Sequence, residues 1–175
     1  MNKSLWLGGL LGGVAMYVWV SISWMALPFH NASFLKFKDE AAVTTAIASN
    51  ITGPGIYMLP KGHGEAEMKQ WQTGPTAFAA VRTGSSSSMI APLAIQFVGT
   101  LIAGLLIAWM LSHASGLGYW CKVGFVTAIG ALAGILVLIP EWNWFGFSIA
   151  HTGAQFLDLV VGWFLGGLAM AKIVK

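Results

Sequence analysis

Residues 148–167 read SIAHTGAQFLDLVVGWFLGG, a run long enough to cross a bilayer that nonetheless carries His151, Gln155 and Asp158 at helical spacing. At about 100° per residue, His151, Gln155, Asp158, Gly162, Gly166 and Ser148 fall within an arc of about 80°. Phe156, Leu157, Val160, Phe164 and Leu168 occupy the opposite side. The segment therefore predicts a spanning helix with an apolar outside and a polar inside that faces protein.

Working outward, three further stretches have comparable length and apolarity, so the expected spans are about 5–27, 89–111, 121–139 and 145–171. The composition agrees: 57% of the 175 residues are hydrophobic and 9% charged, against roughly 25% charged in soluble domains. The first span follows MNKS and reads as a retained helix, because its apolar stretch exceeds the usual core of a signal peptide. The expected fold class is an all-α integral membrane protein: four transmembrane helices in a compact bundle, one domain over 1–175, with an outer loop at 28–88.

Lys3, Lys122, Lys172 and Lys175 flank the spans on one side, which by the positive-inside rule places both termini in the cytoplasm. Trp24, Trp142 and Trp144 suit an outer aromatic belt, and Trp6, Trp109, Tyr119 and Trp120 an inner one. One cysteine, Cys121, excludes an internal disulfide, a paired redox motif and a cysteine-rich zinc site. The expected location is a bacterial inner membrane. The net charge of +3 follows from these flanking lysines and does not argue for nucleic acid.

In the loop, FKDEAAVTTAIASN puts Asp39 and Glu40 where a helix dipole favours acids and spaces Val43 and Ile47 four apart, predicting a short helix ending at Asn50. TGPGIYMLP and TGPTAFAAVR share a Thr-Gly-Pro turn followed by a short apolar run, predicting two strands that pair. TGSSSS, 83–88, reads as a flexible entry whose serines can cap the second span. PEWNWFG, 140–146, reads as the second outer connection.

Small residues recur four apart in every span: Gly8 with Gly12, Gly9 with Gly13, Gly99 with Ala103, Gly104 with Ala108, Gly130 with Gly134, and Gly162 with Gly166. Such spacing lets helix backbones approach closely, within one chain or against another.

Asp158 poses the chemical question, because it stands near the midpoint of its expected span. An ionised carboxylate at mid-bilayer costs about 3 kcal/mol on insertion scales, so it needs a partner, a proton or a function. No lysine or arginine lies deep in the four segments, and the candidate partners at similar depth are the neutral Tyr17, Gln96, Thr100 and Thr127. Within one chain, a neutral acid donating a hydrogen bond is the simplest account. Interhelical glue, a proton or ion path along His151, Gln155 and Asp158, and a base on a neighbouring subunit are the three consequences to separate.

At the outer interface His30, Glu141 and His151 can gather, which would suit a metal, a quinone headgroup or, for His30 with His151, a haem. Met58, His63 and Met68 are soft ligands of the kind copper takes, although Met58 sits in an apolar run. No cofactor is strongly implied. The commonest nucleotide, serine-hydrolase and zinc-protease motifs are absent from the sequence. The leading expectation is a non-catalytic accessory, assembly or scaffold component of a larger membrane complex, with the bilayer and other membrane subunits or further copies as partners. The alternatives are proton-coupled or ion transport through the polar stripe, and binding of a quinone, lipid or haem at the outer interface.

Overall fold

The computed structural model describes residues 3–84, 88–114 and 116–175. Its elements in chain order are α1 (Lys3–Ala26), α2 (Phe29–Ala32), α3 (Glu40–Asn50), β1 (Gly55–Leu59), α4 (Glu65–Thr73), β2 (Ala77–Val81), α5 (Ile90–Ser112), α6 (Tyr119–Phe145) and α7 (Ile149–Ile173). Four of these, α1, α5, α6 and α7, are long and apolar enough to cross a membrane.

The helices form a sequence of neighbours: α5 lies on α1, α1 on α7, and α7 on α6, while α5 and α6 touch only slightly. At the end that holds both chain termini the bundle is closed. Leu111 of α5, Val126 of α6 and Met170 of α7 are buried together there, Lys122 Nζ donates to the Val174 carbonyl at 2.7 Å, and Tyr119 donates to the Leu168 carbonyl at 3.2 Å. At the other end, which carries the long loop, the bundle parts. Every buried residue of α5 lies between Thr100 and Leu111, and its first ten residues contribute none.

Glycine makes the close approaches. A Cβ on Gly104 would run into the Gly9 carbonyl and the Gly13 backbone, and one on Gly13 would come within 2.7 Å of the Thr100 carbonyl. Gly8 meets Val174, Gly12 meets Met170, Gly162 meets Met16, Gly130 meets Trp163 and the Leu159 carbonyl, and Gly134 meets Phe156. Gly99 alone of the expected packing glycines faces open space. The other nine expected packing glycines are met inside the chain.

Two boundaries differ from the sequence reading. The third span, expected at 121–139, continues as α6 to Phe145, so PEWNWF is helical and the connection to α7 shrinks to 146–148. Pro140 removes one backbone donor without ending the helix, a substitution that spanning helices tolerate. The stop comes six residues later at Gly146, whose φ of 75° is the left-handed cap that glycine adopts without strain. α7 starts at Ile149, capped by Ser148, whose Oγ accepts the His151 N–H at 3.1 Å.

In the outer loop, α3 is capped by Asp39, which accepts from the Ala42 N–H at 2.9 Å. β1 and β2 pair antiparallel from Gly55 opposite Val81 to Leu59 opposite Ala77. The polar connector between them, to which the sequence reading assigns no element, holds the helix α4, with Glu65 and Glu67 in its first turn. The two Thr-Gly-Pro turns do different work. The first is clamped by Tyr57, whose hydroxyl donates to the Gly53 carbonyl at 2.6 Å and accepts the Thr52 and Gly53 N–H groups; the Thr52 side-chain contact holds this phenol below its usual pKa. The second closes α4, where the Gly74 N–H reaches the Gln70 carbonyl at 2.9 Å. Of the expected TGSSSS entry, residues 85–87 lie outside the described residues, and Ser88 Oγ accepts the Ile90 N–H at 3.3 Å.

Candidate functional site at the loop end of the bundle

The α7 segment folds with the expected sidedness. Ala154, Asp158, Gly162, Trp163, Gly166 and Gly167 are buried, whereas Leu157 and Phe164 are exposed. Asp158 is 3% exposed, and its partners are not the ones expected at similar depth. Ser23 of α1 donates to Oδ1 at 2.5 Å, and His30 Nε2 lies 2.9 Å from Oδ2. Ser23 Oγ and His30 Nε2 are themselves 3.0 Å apart, so the three groups form a closed triangle.

His30 reaches this position because Pro28 follows the end of α1 and the chain turns back along α7 as the short helix α2. The imidazole is 1% exposed. Trp24 stacks on one side with centroids 4.1 Å apart and planes at 15°, and Phe29 flanks it at 4.6 Å. Nδ1 has no hydrogen-bond partner among the described residues, so a proton there would be an unsatisfied donor, and the ring hydrogen belongs on Nε2. The arrangement then reads consistently: Nε2–H donates toward Oδ2, the Ser23 hydroxyl donates to Oδ1, and the carboxylate is tied to its own chain on both oxygens.

This changes the depth assigned to Asp158. Ser23 stands three residues from the end of α1, and Asp158 nine residues, about 13 Å, from the start of α7. The carboxylate is thus level with the last turn of α1 and with Trp24, while along α7 it stands three residues from the helix midpoint at Val161.

The expected partners take other positions. Tyr17 sets its ring edge against Phe97 at 5.0 Å. Thr100 Oγ1 donates to the Phe97 carbonyl at 2.8 Å and Thr127 Oγ1 to the Val123 carbonyl at 2.9 Å, each a bond within its own helix. Tyr17 and Gln96, with Gln155 and Asp158, instead line one cavity of about 500 Å3, where α5 and α6 part. The Gln96 and Gln155 amides and the Tyr17 hydroxyl make no hydrogen bond to the chain among the described residues, and all three residues belong to the cavity wall. Met16, Met25, Met89, Leu93 and Leu138 supply much of the remaining wall.

His151 does not join the triangle. Its Nδ1 lies 3.4 Å from Ser33 Oγ, and its ring sits between Phe34 and Phe147 at 5.4 Å from each. Ser33 connects to His30 only through the His30 carbonyl, at 2.7 Å, so no side-chain relay links the two histidines. Glu141 is in the last turns of α6, where its carbonyl accepts the Phe147 N–H, and the contacts of His30 do not include it. Among the described residues no group of three or more His, Cys, Asp or Glu could hold a metal ion, so His30, Glu141 and His151 do not gather into such a set.

The residues that sequence reasoning missed are Ser23 and, in its actual role, His30. Ser23 carries no signal, being one hydroxyl in an apolar helix. His30 gave a partial one, since a histidine just past a helix-ending proline can be carried back into the bundle by the turn.

Comparison with protein-family models, with curated proteins and with solved structures gave no match.

Proposed function

We propose that the chain is a multi-pass membrane protein, with both termini cytoplasmic, that holds a small amphiphile in the cleft between α5 and α7. The observation that carries this reading is the composition of the 500 Å3 cavity: a methionine- and leucine-lined wall that also holds the polar side chains of Tyr17, Gln96, Gln155 and Asp158, and Ser21, whose hydroxyl donates to the Tyr17 carbonyl. Small-molecule sites are typically apolar hollows of roughly 300–1,000 Å3 with a few convergent polar groups. The cleft also lies toward the loop end of the helices, close to Trp24, where a bilayer interface would bring lipid heads within reach. A stripe that conducts protons has less support, because His151 is separated from Asp158 and His30 by a backbone link.

The test is to purify the protein from its native membrane, extract it with organic solvent and identify the extract by mass spectrometry. A stoichiometric amphiphile is expected with wild type and should be lost from Leu93→Trp, which fills the cleft from α5 without touching Ser23, His30 or Asp158. Equal retention by both proteins, or no bound molecule, would remove this reading.

An accessory or assembly role is the second reading, and a different observation favours it. Between residues 31 and 84 only Pro60 is buried, while Leu35 is 96% and Ile56 71% exposed, so the outer loop has no core of its own. If that layer docks on a neighbouring subunit, Leu35→Asp with Ile56→Asp should abolish co-purification of a partner chain from native membranes. An unchanged set of co-purifying chains would count against it.

A further inference from the structure

The proposed cleft leaves the chemistry of its occupant open, and the polar groups of the wall narrow it. The nine lysines and arginines of the chain are Lys3, Lys36, Lys38, Lys61, Lys69, Arg82, Lys122, Lys172 and Lys175, and none of them lines the cavity. An anionic head placed there would face the Asp158 carboxylate with no cation to offset it, and like charges at short range in a weakly screened site repel strongly. Phosphate and carboxylate heads are thereby excluded.

The hydrogen-bond inventory narrows the choice further. Ser23 and His30 take one lone pair on each Asp158 oxygen, so each oxygen keeps one lone pair for a further donor. The Gln96 and Gln155 amides and the Tyr17 hydroxyl bring both donors and acceptors to the same space. A head that only donates, such as an ammonium, would leave the amide N–H groups unpaired. One that only accepts, such as an ester or a quinone carbonyl, would give the remaining lone pairs of Asp158 no donor. A hydroxyl does both.

We infer that the occupant is a neutral amphiphile with a hydroxyl head, which donates to Asp158 and accepts from Gln155 or Gln96, while its tail leaves between α5 and α6. This rests on the cleft being a ligand site at all. His30 acts as the positioning residue: it fixes the carboxylate from behind, shielded from the cavity by the Trp24 ring that stacks on it. The hydroxyl can come from an isoprenoid hydroquinone or from a diacylglycerol, since both present it at the end of an apolar tail.

The full chain in detergent would be titrated with dodecanol, dodecanoate and dodecylamine, three probes of equal tail length, and bound probe counted by native mass spectrometry. Dodecanol is expected to bind at least about tenfold more tightly than either charged probe, the span of one hydrogen bond to a charged acceptor. Asp158→Asn should reduce dodecanol binding about tenfold, and Gln155→Leu, which leaves the Ser23 and His30 contacts in place, should reduce it several-fold even if the first variant fails to fold. Decylhydroquinone or dioctanoylglycerol should displace dodecanol, and the tighter of the two names the source. Dodecanoate or dodecylamine binding as tightly as dodecanol, or displacement by neither hydroxyl compound, overturns the assignment of the head while the cleft stands. Failure of every probe to bind, with Leu93→Trp indistinguishable from wild type, overturns the cleft itself.

Discussion

The two ends of the four-helix bundle are held by opposite means. At the end with the termini, backbones meet through glycine: Gly104 against Gly9 and Gly13, Gly12 against Met170, Gly8 against Val174. At the loop end the helices part, and the tie is polar, with Ser23 and His30 closing on Asp158 beside an open cavity. In an apolar solvent helices gain little from burying apolar surface, so close contact has to supply the attraction where the bundle is shut. Where α5 parts from its neighbours that contact is missing; there α1 and α7 are tied by hydrogen bonds to a buried carboxylate, while α6 and α7 still meet through Gly134 and Phe156. A polar tie so near the cavity also gives the site its chemistry.

Substitutions can break this contrast, and the largest effect is expected at the polar end. His30→Ala removes one partner of a buried pair and leaves Asp158 held by Ser23 alone, which should cost about 3–5 kcal/mol and appear as a large drop in Tm in detergent or lipid. A change of under about 1 kcal/mol would mean the pair does not hold the loop end. At the other end, Gly104→Leu forces a side chain into backbone, which cannot yield as a flexible side chain does. About 3 kcal/mol, the upper part of the range for overpacking, is expected from the same melting measurement. Ser23→Ala strips the second donor from the carboxylate and should cost about 1–2 kcal/mol, with the mutant still folded by circular dichroism. Gly99→Ala marks the control: with nothing within reach of the new methyl, stability should hold or rise by at most about 1 kcal/mol. A clear loss there would show that the open side of α5 is covered by something outside the chain.

How much of this could be read in advance depends on whether the signal was local. The four apolar segments, the buried side of α7 and the start of α3 at its two acids rest on periodicity and on local neighbours, and all were legible, although Asp39 serves as the cap and not in the first turn. The two strands and their pairing were legible through the repeated Thr-Gly-Pro turns and the apolar runs after them. The continuation of α6 past Pro140 was not, because a proline is the strongest local stop and only the stop at Gly146 shows where the helix ends. α4 was hidden by its polarity, although Glu65 and Glu67 in a first turn were a usable hint. The Asp158 site was half legible. The acid, its sidedness and the cavity residues Tyr17, Gln96 and Gln155 came from one helix pattern and from depth. Its base did not, because His30 sits 128 residues away and arrives only through the turn at Pro28.

The central claim is that Asp158 is held within its own chain by a hydrogen bond from His30, not by a second subunit. A double-mutant cycle on stability, using His30→Leu, Asp158→Leu and the double variant in the same lipid, measures that pairing directly. The account predicts that each single change is strongly destabilising, that the double variant recovers most of the loss, and that the coupling is about 2 kcal/mol or more. Additive single effects, with a coupling below about 0.5 kcal/mol, would contradict it and return the search for the partner of Asp158 to a neighbouring chain.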